Sequence, residues 1–177
     1  TRIRAEILQI QKRINKTTLY VTHDQVEAMT LGDRVAVIKE GKLQQFSTHE
    51  GLYQKPDNVI VAEFIGSPGM NILPARTQNK DNTILHILIE NQKIDISVTS
   101  RQVSFQHHEK TGFIGIRPES FHFTKHDNDI AIKVVVDAVE FLGSDSLIYF
   151  KLTDNNQPGK KLIAKITGQL PATANTL

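Results

Sequence analysis

The strongest constraint on the fold is a change of hydrophobic period at Gly66-Ser67-Pro68-Gly69. Ahead of it, Ile3, Ile7, Ile10 and Ile14 recur at steps of four, three and four, which places one apolar stripe on a helix and leaves Arg2, Arg4, Glu6, Gln9, Lys12 and Arg13 facing water. Asn15-Lys16 ends that helix, and Thr17 to Val21 is a β-branched and aromatic run of the buried-strand kind. A second helix is predicted over Gln25 to Leu31, closed by Gly32, with Arg34 to Ile38 as a further apolar run. Helix, strand, helix, strand in close order predicts an α/β layer with parallel pairing. Gly41-Lys42 suits a tight turn into an antiparallel strand at Leu43 to Ser47, and short helices are predicted at Glu50 to Gln54 and Asn58 to Ile65.

After Gly69 the helical period is gone. Strand-like runs separated by turn residues lie at Thr83 to Glu90, Lys93 to Val98, Gly112 to Arg117, Ile130 to Leu142, Ser146 to Thr153 and Lys161 to Ile166, the spacing of a small barrel. In the longest, Ile130, Ile132, Val134, Val136 and Ala138 share one face opposite Lys133 and Asp137; the apolar register then moves to Val139 and Phe141. Such a slip requires a bulge or sharp bend, and a strand bent in this way can serve two sheets. The predicted fold class is therefore α/β followed by all-β, with domains at 1–66 and 67–177.

Composition excludes several function classes. The chain has 177 residues, room for one medium domain or two small ones, and no cysteine, so disulfides, thiolate metal sites and a cysteine nucleophile are ruled out together. Its longest apolar runs, such as Ile84 to Ile89, fall far short of the roughly 18 to 20 residues that span a bilayer as a helix. Thr1 to Glu6 has neither a starting methionine nor the apolar core of a signal peptide, and reads as part of something longer. Lys and Arg number 21 against 19 Asp and Glu, interspersed in sign, so charge singles out no partner. Eight Phe and three Tyr are scattered without the basic, aromatic stretch that single-stranded nucleic acid prefers, and no nucleic-acid partner is expected.

Among residues that can carry chemistry, His23 stands out. A histidine at the C-terminal end of a parallel strand, just before a helix, lies where open α/β sheets bind ligands, and its imidazole can donate to a phosphate oxygen. On spacing alone a structural role, capping the helix together with Asp24, is equally compatible. His107-His108-Glu109 offers imidazoles, but adjacent side chains in a strand point oppositely and no partner ligand has metal-site spacing, so a solvated loop and no metal site are expected. His122 and His126 would share a helix face, yet Phe121-His122-Phe123-Thr124 reads as strand. Gly143-Ser144-Asp145-Ser146 reads as a turn, since no base or orienting acid accompanies its serines.

The stretch Val21-Thr22-His23-Asp24-Gln25-Val26-Glu27-Ala28-Met29-Thr30-Leu31-Gly32-Asp33-Arg34-Val35-Ala36-Val37 resembles the H-loop region of ABC-transporter ATPases. Gly41 to Gln45, Leu52 to Pro56 and the junction Phe64 to Pro68 with Met70-Asn71 continue the similarity toward importer ATPases of the maltose and glycerol-3-phosphate type. Ile114 to Glu119 and Val139 to Ser144 are similar to that family's oligonucleotide-binding-like regulatory fold, of the TOBE/MOP-like kind. The resemblance spans Arg2 to about Gly168. It implies the C-terminal end of a nucleotide-binding domain followed by a regulatory domain. It also implies that His23 contacts the ATP γ-phosphate and helps hold the attacking water, and that Arg117, Pro118 and Glu119 are structural. ATP and Mg2+ would be cofactors of the intact subunit. Its partners would be transmembrane permease subunits and a second ATPase subunit, on the cytoplasmic face of the inner membrane, and its cargo sugars or sugar phosphates.

Departures from the family pattern limit what the chain does alone. It contains no Gly-x-x-x-x-Gly-Lys-Ser/Thr phosphate loop, no LSGGQ-like signature and no apolar strand ending in Asp-Glu, so no cofactor and no ATP hydrolysis are expected of these 177 residues by themselves. A closing strand is not apparent after Leu170, which implies an incomplete barrel, and Thr48-His49-Glu50-Gly51 stands where the family has a proline-containing turn. Two other readings are a β-barrel module binding an oxyanion or nucleic acid and a purely structural dimerisation domain; fold analogy does not choose a ligand.

Overall fold

The computed structural model describes residues 2–81, 84–89, 92–97, 110–124, 131–152 and 160–168, in two compact units, Thr1–Gly69 and Met70–Leu177. In the first unit α1 (Arg2–Ile14) and α2 (Gln25–Leu31) precede an antiparallel pair, β1 (Val35–Lys39) and β2 (Lys42–Ser47), followed by α3 (His49–Gln54) and α4 (Val59–Phe64). The hairpin turn follows from its two central residues. Glu40 and Gly41 have φ of 52° and 73°, and Lys39 pairs with Lys42, so the loop has the left-handed pair that matches strand twist. α2 ends without a left-handed cap, since Gly32 is extended at φ −94°. Val37, Leu52, Val61 and Ile65 form this unit's core, with Met29, Val35 and Tyr53 packed against it. The Arg34 guanidinium lies 4.0 Å from the centre of the Phe46 ring, covering its outer face.

Two expectations for this unit are overturned. Thr17 to Val21 forms no strand: Leu19 is 91% and Val21 86% exposed. A strand is held by hydrogen bonds to a neighbour, and the first unit's one described sheet is the β1–β2 pair, so the parallel layer is absent among the described residues. The α1 stripe is likewise uncovered, with Ile3, Ile10 and Ile14 more than half exposed, although the helix itself forms. At the other end of the unit the Thr48 turn forms without proline: Thr48 Oγ1 caps α3 by accepting from the Gly51 N–H at 3.1 Å.

The second unit is built from strands. β3 (Asn71–Asp81), β4 (Ile84–Ile89), β5 (Gln92–Ser97) and β6 (Lys110–Ile116) form one antiparallel sheet in the order β5-β4-β3-β6. β7 (Val134–Phe141), β8 (Asp145–Leu152) and β9 (Leu162–Thr167) form a second in chain order. β8 alternates without a fault, burying Ser146, Ile148, Phe150 and Leu152, and the three apolar residues pack with Leu73, Leu162 and Ala164. β7 has the expected slip, but ahead of Ala138 rather than after it: Val136 pairs with Phe150 and Ala138 with Tyr149, leaving Asp137 as the extra residue, bonded to Lys151 at 2.8 Å. Past the bulge Val139 and Phe141 are about half exposed, and among the described residues β7 pairs with β8 alone rather than serving two sheets.

β3 was not expected, because Pro74 and a polar second half hide its pattern. The register explains how proline fits. β6 pairs with Asn71 to Thr77 and β4 only from Arg76 onward, so Pro74 sits where β3 has one neighbour and needs no second donor. Asn71, 8% exposed, ties the sheets together: its side-chain amide donates to Ile116 O and Ile163 O and accepts from the Ile163 N–H. Phe121 to Thr124 does not form a strand, but Phe121 and Phe123 still pack on the core, Phe121 edge-on to Phe150 at 5.2 Å. His107, His108, Glu109, His126 and the region after Gly168 lie outside the described residues.

Candidate functional site

The segment carrying His23 is fixed from both sides while His23 itself is exposed. On its N-terminal side Thr22 Oγ1 accepts from the Asp24 N–H at 3.0 Å and donates to the Glu27 carboxylate at 2.8 Å; the Tyr20 hydroxyl donates to the same carboxylate at 3.2 Å. On its C-terminal side Asp24 caps α2, its Oδ1 accepting from the Val26 N–H at 2.7 Å and the Glu27 N–H at 3.1 Å. Helix starts need such acceptors because their first amides have no partner inside the helix. Arg4 of α1 donates to the other Asp24 oxygen at 3.1 Å. The spacing Asp24-x-x-Glu27 is that of a capping box, with the Glu27 side chain turned to Thr22 and Tyr20.

These contacts set the local charge. The Glu27 N–H bond first, then the Val26 N–H and the nearby Arg4 guanidinium, hold the Asp24 carboxyl below its ordinary value, against partial desolvation. Desolvation, then the bond to Glu27, raises the Tyr20 hydroxyl above its ordinary range. Asp24 therefore stays ionised beside His23 at neutral pH. The arrangement presents one imidazole to solvent with its flanking backbone immobilised, which fits a hydrogen bond to a single phosphate oxygen. No phosphate loop occurs in the sequence, and among the described residues no group of three or more His, Asp or Glu is arranged to hold a metal.

Gln25 is the contact that sequence reasoning missed. Its side-chain nitrogen donates to Phe64 O and its oxygen accepts from the Gly66 N–H at 3.1 Å, so the residue two after His23 grips the end of α4. Partners 39 and 41 positions away leave no trace in local spacing. Other sequence candidates fall away. The Ser146 hydroxyl is 1% exposed and donates to Gly168 O at 2.6 Å, while Gly143, at φ 95°, makes the turn before it. His122 is exposed, outside any described strand, and burial lowers the pKa of Arg117 next to the buried Pro118.

The β unit identifies the class. Residues 66–121 match the MalK OB fold domain and residues 114–159 the TOBE domain, in line with an all-β second unit. Along its length the chain is 37% identical to the alpha-glucoside transport ATP-binding protein AglK of Rhizobium meliloti over 166 residues, covering 93% of this chain and 44% of that protein. It is 34% identical to the sn-glycerol-3-phosphate import ATP-binding protein UgpC of Vibrio vulnificus over 173 residues, 97% of this chain and 43% of that one. Identity to the trehalose/maltose import ATP-binding protein MalK of Thermococcus litoralis is 37% over 164 residues, 85% of this chain and 41% of that one. The chain thus carries MalK OB fold and TOBE domains, and its relatives are import ATP-binding proteins for sugars and glycerol phosphate. It spans less than half the length of these curated relatives. No described helix is long and apolar enough to cross a membrane.

Proposed function

We propose that this chain is the C-terminal portion of the ATP-hydrolysing subunit of an ABC importer for sugars or sugar phosphates. Residues 1–66 are the end of the nucleotide-binding domain and residues 67–177 the regulatory domain. The observation that carries the reading is an exposed His23 between pinned neighbours, inside a 17-residue stretch similar to the H-loop. Phosphoryl transfer depends on positioning and charge stabilisation, so an immobilised imidazole donating to the γ-phosphate of ATP contributes by alignment. The chain's own residues supply that one contact. The rest of the triphosphate, and the Mg2+ that neutralises its charge, would be held by parts of the intact subunit that this sequence does not contain. The subunit would work as a homodimer with transmembrane permease subunits on the cytoplasmic face of the membrane. The uncovered α1 stripe and the unpaired Thr17 to Val21 run support the reading, being apolar surface that a larger α/β domain would bury.

The test is His23→Ala in the intact subunit assembled with its permease. Turnover of ATP falls by about 100-fold or more while the Kd for ATP changes by less than about threefold, since a group acting on the transition state alters rate more than binding. Unchanged turnover overturns the assignment. Magnesium-ATP titrated into the 177-residue chain alone gives no saturable heat.

A further inference from the structure

Half-buried Gln25 uses both ends of its amide on backbone 39 and 41 residues away. The place it grips is the exit of the first unit: Phe64 ends α4, and Gly66 turns the chain three residues before that unit's limit at Gly69. Gly66 has φ 124°, a conformation in which side chains are rarely found, so the shape of this turn belongs to the backbone and the Gln25 amide is the side chain holding it. The same residue opens α2, next to Asp24, whose carboxylate fixes the His23 loop. A rigid first turn thus joins His23 to the exit segment through one side chain.

We propose that Gln25 is a positioning residue that couples the His23 loop to the exit segment Phe64–Gly66, so that displacement of either is felt by the other. The proposal rests on the reading of His23 as a phosphate contact. Coupling between two sites is reciprocal in free energy, so a phosphate held by His23 restrains the exit segment as much as movement of the exit segment withdraws the imidazole. A two-point amide grip suits this role better than an apolar contact, because the bonds have direction and are lost over a small displacement.

The test uses two variants in this chain and in the intact, permease-bound subunit. Gln25→Leu keeps the volume and removes both bonds. Gln25→Glu keeps an acceptor for the Gly66 N–H, loses the donor to Phe64 O, and puts a negative charge in the first turn of α2, where it favours the helix, so the local fold survives. In this chain Gln25→Leu raises hydrogen exchange at the Gly66 amide by about tenfold. It also shifts the His23 ring proton resonances, with Gln25→Glu smaller in both. In the intact subunit Gln25→Leu lowers kcat by about fivefold with KM for ATP unchanged. Faster exchange at Gly66 with an unmoved His23 resonance and unchanged kcat overturns the coupling, since the bond is then only structural. If both signals move in this chain but His23→Ala leaves turnover of the intact subunit untouched, the phosphate-contact reading falls and the mechanical tie stands.

Discussion

The Asp24 carboxylate accepts from two amides of the α2 first turn and from the Arg4 guanidinium, and those bonds keep its proton off below the ordinary carboxyl value of 3.8. Because the folded pKa is depressed, the stability that Asp24 contributes is fully present above that value and is lost as pH falls through the folded one. Asp24→Ala therefore lowers the melting temperature at pH 7 by a few degrees. In thermal unfolding followed by circular dichroism, the gap to the parent closes as pH is taken below 3.8. Asp24→Asn, which retains a capping oxygen, recovers part of the loss and shows less of the acid dependence; a gap that is the same at pH 7 and in acid would contradict the ionised cap. The Asp24 cap was legible because the Val26 and Glu27 amides lie within three residues, where capping chemistry is written into spacing; the Arg4 contact, twenty residues away, was not. Nor was Gln25, since an amide side chain in the first turn of a helix signals nothing about a carbonyl on another helix.

Elements divide along the same line between local and remote causes. A bulge in β7 was legible from the residues of that strand alone, because a change of apolar register across a period of two forces one extra residue; its place, at Asp137 rather than after Ala138, was not, since the small Ala138 fits either face. The Thr17 to Val21 strand failed because a run of strand-forming residues specifies half a pairing, and the other half, a neighbouring strand, is not found among the described residues. β3 went unseen for the opposite reason: Arg76 to Asn79 has no apolar alternation, and its partners β4 and β6 hold it in place. The β1–β2 hairpin is local again, and its turn can be tested in both directions. Nothing lies within 4 Å of a Cβ added at Gly41, so Gly41→Ala tests backbone conformation alone and destabilises by about 1 kcal/mol. Glu40 is also left-handed, at φ 52°, and Glu40→Asn stabilises by about 0.5 kcal/mol because asparagine tolerates that region. Urea unfolding of the two variants gives opposite signs if the turn is as described; equal signs would contradict it.

At the scale of the molecule, the break at Gly66 to Gly69 separates two cores that have no residue in common. Leu52, fully buried, centres the core formed with Val37, Val61 and Ile65; Ile148, fully buried, centres the core formed with Leu73, Phe150, Leu152, Leu162 and Ala164. The change of period was a sound guide to this division because period reports which neighbour an element packs on, and helices and strands in series cannot share one layer. Truncating either centre costs the transfer free energy of the lost methyl groups plus the unfilled space, roughly 3 kcal/mol for Leu→Ala or Ile→Ala. Where that loss is felt depends on whether the cores fold separately. Hydrogen exchange resolved along the chain decides it: Leu52→Ala speeds exchange of amides in Thr1–Gly69 and spares β8 and β9, whereas Ile148→Ala does the reverse. A loss of protection that spreads through both units from either substitution would mean a single cooperative unit, and the boundary drawn from hydrophobic period would then mark a change of secondary structure within one domain.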